Sequence, residues 1–300
     1  MVGQDDRCDR TWWLLGIALT LLGTAILAWG RDASTPRGMI YEIQAPAAPA
    51  PSFILGTIHS EDPRVLDLPA PVRSAFERSP GFVLEVVPDA QAIIKSMITM
   101  NYTDGRTLKE ALPPDLYRRT AEALQELGMT PEAFKDFKPW AVVTLLSLPP
   151  AEKGEFMDLA LYRAAVDAGK EIKGLETMEE QLGVFDGLSE SDQIALLEDA
   201  LDSRAEMPAL FEELIQAYLA QDLVTLMELS ERHLQRGDPR LAALFRETAV
   251  DSRNRRMAER LEPLLEQGGW FVAIGALHLP GEEGVLHLLE KQGFAVTPHR

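Results

Sequence analysis

Two short apolar runs near opposite ends of the chain, FILGTI (53–58) and WFVAIGAL (270–277), constrain the fold more than any other feature. Both are short and rich in β-branched and aromatic residues, which favours strand over helix. Each closes on the same pattern, GTIH at 56–59 and GALH at 275–278. Four more segments also read as strands: MIYEIQ (39–44), GFVLEVV (81–87), KEIKGL (170–175) and FAVTP (294–298). A Pro/Ala-rich connector, APAAPAPS (45–52), separates the first two. Strands this short need partners to bury their faces, so the two ends of the chain must share one sheet.

Between the strands the pattern turns helical. Apolar positions recur every three to four residues over 90–103, 113–128, 131–148, 155–169, 189–235 and 238–267. The long stretches are broken near Pro208, Asp222 and Gly237-Asp238-Pro239. Pro114, Pro131 and Pro239 suit first-turn positions, with Asp238 as a cap before Pro239. No tandem period of about twenty to fifty residues is present, which argues against a solenoid. The expected fold class is therefore α/β: a small central sheet built from the N- and C-terminal parts, with a large helical insertion between Glu85 and Trp270. One such domain is expected over residues 40–300, after a linker at 31–39.

Residues 12–29, WWLLGIALTLLGTAILAW, carry no charge over eighteen positions. As a helix this covers roughly 27 Å, enough for a bilayer core. Trp12, Trp13 and Trp29 stand at its two ends, where an aromatic belt lies. Length and flanks favour an uncleaved transmembrane anchor; the alternative is a signal peptide, with Arg7 and Arg10 before it and Ala28-Trp29-Gly30 as a cleavage site. Either way residues 1–30 would send the folded part across the inner membrane, to the periplasm or the cell exterior.

Composition excludes several chemistries. The formal net charge of −18 argues against a nucleic-acid partner, since phosphate binding needs clustered Lys and Arg. The single cysteine, Cys8, precedes the apolar segment, so the folded part holds no disulfide, Cys-based zinc cluster or Cys nucleophile. There is no HExxH, P-loop or dinucleotide fingerprint, and Ser60 lacks a nucleophile-elbow setting.

What remains is a set of polar residues at strand ends. FILGTI runs into His59, GFVLEVV carries Glu85, KEIKGL runs into Glu176 and WFVAIGAL into His278. In parallel α/β sheets the carboxyl ends of the strands define the ligand crevice. Gly56 and Gly275, three residues before each histidine, mark a close backbone approach or a bend. Imidazole together with carboxylate suits zinc, manganese, cobalt or iron better than calcium or magnesium. The two histidines and one of the glutamates, Glu85 or Glu176, could ligate such an ion, with the other glutamate as general base. For each residue a plainer role exists: hydrogen-bonding strand-end histidines, an outward-facing Glu85 on an edge strand, and Glu176 favourably placed before a helix starting near Thr177. Late in the insertion, DSRNRRMAERL (251–261) reads mostly as a solvated basic face. Arg253 and Asn254 are set apart, because their helix leads into the second Gly-x-x-His strand and an Arg there can bind a carboxylate or an oxyanion.

Taken in order, FILGTIH, GFVLEVV, GLET, RNRRMAERL and FVAIGALHLPGEEGVLHLLEKQGF resemble the TraB/GumN family, from about residue 40 to the C-terminus. That family has the Tiki membrane-anchored metalloproteases among its animal relatives. The resemblance implies a fold similar to erythromycin-esterase-like and ChaN-like proteins, and a divalent-metal-dependent peptidase or hydrolase, with Mn, Co or Zn as the metal. It matches His59 and His278 to the two motif histidines, Glu85 to the early glutamate, Glu176 to the Gly-Leu-Glu-Thr element, and Arg253 and Asn254 to the late Arg-Asn pair. The expected metal ligands are then His59, His278 and Glu85, and the expected catalytic residues Glu85 (ligand or general base), Glu176 (orienting or ligating) and Arg253, with Arg253 and Asn254 reading the substrate, a peptide or protein. A non-catalytic protein that sequesters a peptide or small ligand, or an accessory factor in envelope polysaccharide or pheromone processes, would use the same residues differently.

Overall fold

The computed structural model describes residues 38–148 and 155–300. The apolar segment 12–29 and the linker up to residue 37 lie outside the described residues. Among the described residues no helix is long and apolar enough to cross a membrane. The chain divides into two compact units, one made of residues 88–148 and 177–208, the other of residues 38–87, 155–176 and 209–300.

The second unit holds a six-stranded sheet: β1 (Ile40–Gln44), β2 (Ser52–Thr57), β3 (Gly81–Leu84), β4 (Glu171–Gly174), β5 (Trp270–Gly275) and β6 (Ala295–Pro298). Their order across the sheet is β4-β3-β5-β2-β1-β6. The four strands β4, β3, β5 and β2 run parallel, while β1 is antiparallel to both β2 and β6. β2, from the start of the chain, lies beside β5, from its end, with Thr57 opposite Gly275. Both strands are buried along their whole length, as is β3. That explains their unbroken apolar sequences, since a parallel sheet covered on both faces has no polar side to show. Phe76, from the helix Ala70–Arg78, meets Phe271 edge-on at 5.3 Å, and Phe271 in turn stacks with Phe82. The edge strand β4 is mostly exposed and places charged Glu171 and Lys173 outward, a common guard on an open edge.

The first unit is helical apart from an isolated bridge between Asn101 and Phe137. Its centre is the helix Pro139–Leu146, in which all eight residues are buried. Trp140 stacks on Phe185 and donates from Nε1 to Asp186, which also accepts from Lys138. Thr107 and Thr177 each begin a helix with a reciprocal capping box, to Glu110 and Glu180. Glu176 is therefore not the cap before this helix; Thr177 is.

The expected periods need several corrections. The 131–148 stretch is two helices, Pro131–Phe134 and Pro139–Leu146, because Pro139 starts a new first turn. The break expected near Pro208 is present: the helix Glu190–Ser203 gives way to a short 3-10 turn at Arg204–Glu206, and Pro208 occupies the first turn of the next helix, Met207–Leu219. The 238–267 stretch begins as expected, with the Asp238 side chain capping Pro239–Phe245. It then opens into a π-helical turn, Arg246–Asp251, before continuing as the helix Ser252–Gln267. Helices at Ala70–Arg78 and Val285–Lys291 escaped the periodicity altogether.

Candidate functional site

Because β2, β3, β4 and β5 are parallel and adjacent, their carboxyl ends lie along one edge of the sheet. His59 follows the end of β2 by two residues, Glu85 follows β3 directly, Glu176 follows β4 by two, and His278 follows β5 by three. All four are buried. β3 stops at Leu84, three residues sooner than its apolar sequence suggests, and it is an interior strand. Glu85 thus neither faces outward on an edge nor sits within the strand; it turns from the strand end toward β5.

Glycine explains how the two histidine motifs fit together. A Cβ on Gly56 would stand 2.7 Å from Leu279 Cδ1 and 3.0 Å from Ala276 Cα. The bare glycine of the first motif lets the short turn carrying the second histidine, Ala276–His278, lie directly against β2. Gly275 has another use: its backbone N–H donates to Glu85 Oε1 at 2.8 Å.

Arg253 joins the two glutamates. Its guanidinium donates to Glu85 Oε2 at 2.7 Å and to Glu176 Oε2 at 2.6 Å, with a second bond from Nε to the same Glu176 oxygen at 2.9 Å. Arg256 donates to the other Glu176 oxygen at 3.0 Å. The Arg253 side chain is 1 % exposed and that of Glu176 0 %. Buried charges persist when paired and fully hydrogen-bonded, as these are. Of the polar residues in this basic stretch only Arg253 and Asn254 are buried; Arg255 and Arg260 keep solvent exposure while Arg255 pairs with Glu247 and Glu283 and Arg260 donates to the Leu175 carbonyl.

Each histidine is gripped at Nδ1. His278 Nδ1 lies 2.6 Å from Asn254 Oδ1, and the Asn254 amide is oriented by its Nδ2 donating to the Glu283 carbonyl. His59 Nδ1 lies 2.6 Å from Asp158 Oδ2. His278 Nε2 faces Glu85 Oε1 at 3.9 Å.

Charge follows from these contacts. Burial would raise the Glu85 carboxyl, but Arg253, His278 and the Gly275 N–H outweigh it and hold it at about 2. Burial and the neighbouring Arg253 push His278 down to about 3, so its ring is neutral. Burial also works against a charged His59, yet the Asp158 carboxylate leaves it above the ordinary histidine value. The site therefore presents an anionic Glu85 beside a neutral His278 at neutral pH.

The sequence-selected residues His59, Glu85, Glu176, Arg253, Asn254 and His278 all belong to this one cluster. Two members escaped sequence reasoning. Arg256 was hidden in a charge run that resembled a solvated face. Asp158 stands in the first turn of the helix Met157–Asp167, a position acidic residues take for the helix dipole alone, so nothing local distinguished it.

These features define an α/β protein with a buried acidic and imidazole site at the carboxyl edge of its parallel strands. The chain belongs to the TraB/PrgY/gumN family, whose model matches residues 39–298. It is 26% identical to "Metalloprotease TIKI2" of Danio rerio over 86% of this chain and 60% of that protein. It is 27% identical to "Metalloprotease TIKI1" of Homo sapiens over 82% of this chain and 59% of that protein. A bacterial relative, "Uncharacterized protein YbaP" of Escherichia coli (strain K12), is 23% identical over 79% of this chain and 86% of its own length. The chain thus spans about three-fifths of the length of the metalloprotease relatives. No solved structure matches it.

Whether these residues suit a metal can be judged from the donors. Among the described residues no group of three or more His, Cys, Asp or Glu side chains stands in metal-holding geometry. Both Glu85 oxygens are engaged, by Gly275 and Arg253. The donor chemistry nonetheless fits a divalent ion. Two imidazoles are tied back at Nδ1, the outer bond that metal-ligating histidines ordinarily make, and an ionised carboxylate faces Nε2 of one of them.

Proposed function

We propose that this protein is a metal-dependent hydrolase of the cell envelope that acts on a peptide or protein, anchored in the membrane by residues 12–29, with the folded part outside the cytoplasm. The observation that carries the reading is the meeting of His59, Glu85 and His278 at the ends of three adjacent parallel strands. The relatives named metalloproteases support it.

In this reading His59, His278 and Glu85 would hold the ion. Manganese, cobalt or zinc suits such a set. Bound there, the ion would supply Lewis acidity, polarising a peptide carbonyl. The residues of the chain do the rest. Glu85, held at about 2, stays ionised and serves better as a ligand than as a general base, which works best with a pKa near the operating pH. Arg253 and Glu176 act behind it: the guanidinium fixes the Glu85 carboxylate, and Glu176 with Arg256 fixes the guanidinium. Asn254 holds the His278 ring through Oδ1 and so orients a ligand rather than reading substrate.

A second reading, capture of a peptide without hydrolysis, is favoured by one observation: Glu85 is committed to Arg253 and Gly275 as it stands. One experiment separates the two. The chelator-stripped full chain is titrated with Mn2+, Co2+ and Zn2+ by calorimetry, and its turnover of a peptide library is followed by mass spectrometry. Metal-dependent cleavage that falls at least about 100-fold in Glu85→Gln and His59→Ala is expected. Peptide binding without turnover supports sequestration, and absence of divalent-ion binding overturns the metal site.

A further inference from the structure

Asp158 is tied to the first motif more closely than a helix-terminal acid needs to be. Its Oδ1 accepts from Thr57 Oγ1 at 2.5 Å and its Oδ2 meets His59 Nδ1 at 2.6 Å. Thr57 is the last residue of β2, so one carboxylate grips both the strand end and the histidine two residues beyond it. The same helix start is clamped again next door: Met157 N donates to the Ser60 carbonyl at 3.2 Å. The anionic carboxylate also lies where the helix dipole favours negative charge.

A carboxylate can only accept, so the hydrogen between Asp158 and a neutral His59 belongs to Nδ1. The lone pair of that ring is then on Nε2. Asn254 imposes the same tautomer on His278, because its Nδ2 is spent on Glu283 and only Oδ1 meets the ring. The two imidazoles differ in what stands behind them, a full negative charge for His59 and a neutral amide for His278. A carboxylate behind a ring raises its strength as a donor.

We infer that Asp158 is a positioning residue of the site: it sets His59 as the Nδ1–H tautomer, turns the Nε2 lone pair to the ligand position, and makes His59 the stronger of the two imidazole donors. The affinity part rests on the metal reading above; the tautomer part does not. An acid that merely tethers the helix to the loop would hold the chain but leave the ring's tautomer indifferent to its loss.

The test uses the full chain, stripped of metal, with Mn2+ as the probe. The His59 tautomer is read from its ring 15N shifts at a pH where the ring is neutral, and the Mn2+ Kd from calorimetry. Asp158→Ala removes the acceptor, so His59 is expected to shift to the Nε2–H form that a free imidazole prefers, with Mn2+ binding weakened about 100-fold. Asp158→Asn keeps an acceptor, since the Thr57 hydroxyl can receive its amide hydrogen. It should restore the Nδ1–H tautomer and lose only about ten-fold in affinity. A His59 that stays Nδ1–H in Asp158→Ala overturns the inference, as does a Kd unchanged in both variants. Where Asp158→Ala does not fold, Asp158→Asn decides, and an unchanged Kd there overturns the inference. Absence of Mn2+ binding by the unsubstituted chain overturns the metal reading instead, and the tautomer shifts still decide the role of Asp158.

Discussion

Glu176 shows what burial does to the worth of a charge. Its carboxylate has no exposed surface and accepts from both Arg253 and Arg256, so removing it strands the Arg253 guanidinium with Glu85 as its remaining carboxylate. Glu176→Ala is expected to cost about 3–5 kcal/mol of stability, as breaking a buried pair does. Arg118→Ala breaks two exposed pairs, with Asp115 and Glu122, and should cost at most about 1 kcal/mol. Urea denaturation of the two variants side by side checks the contrast; equal losses would mean the buried network is not structural. At this scale the sequence was informative about residue type and silent about pairing. Glu85 between Leu84 and Val86 stood out because an unpaired buried carboxylate is costly. That Arg253, 168 positions away, would be its partner had no local signal.

Among the elements, β2 and β5 carry the site, and their contact depends on a missing side chain. Gly56→Ala would drive a Cβ into Ala276 Cα and Leu279 Cδ1, pushing away the turn that presents His278. A loss of about 1–3 kcal/mol is expected for overpacking of this kind, together with weaker divalent-ion binding than the unsubstituted chain. Thermal denaturation and calorimetry check it, and an alanine that leaves both unchanged would show that the turn yields freely. The strands themselves were legible from their apolar runs, since both faces are buried. The helices were less so. The π-helical turn Arg246–Asp251 interrupts a stretch whose periodicity read as continuous, because a wider turn shifts the phase of later side chains without breaking the run. Arg253 and Asn254 follow it by two and three residues, in the first turn of the next helix.

For the whole molecule, the antiparallel side of the sheet ties the end of the chain to its beginning. β6 pairs with β1 from Tyr41 opposite Pro298 to Gln44 opposite Ala295, and β1 pairs with β2. Deleting residues 294–300 removes β6 and the buried Phe294, and leaves β1 as an open edge. A loss of at least about 2 kcal/mol is expected from the phenylalanine alone, with self-association through the bare edge. Urea denaturation and light scattering are the checks, and a monomer of unchanged stability would show that β6 is dispensable.

The division between sequence and tertiary structure follows from the range of each force. Apolar runs, helix starts at Pro114, Pro131 and Pro239, and the repeated Gly-x-x-His ending are local, because burial and backbone sterics act residue by residue. These alone brought His59 and His278 under one hypothesis. The strand order, the tie between Asp158 and His59, and the bridge from Arg253 to two glutamates are not local. They join side chains 77 to 168 positions apart through hydrogen bonds that short-range pattern does not encode. Four parallel neighbours made the strand ends a single edge, and burial then required every charge on that edge to find a partner.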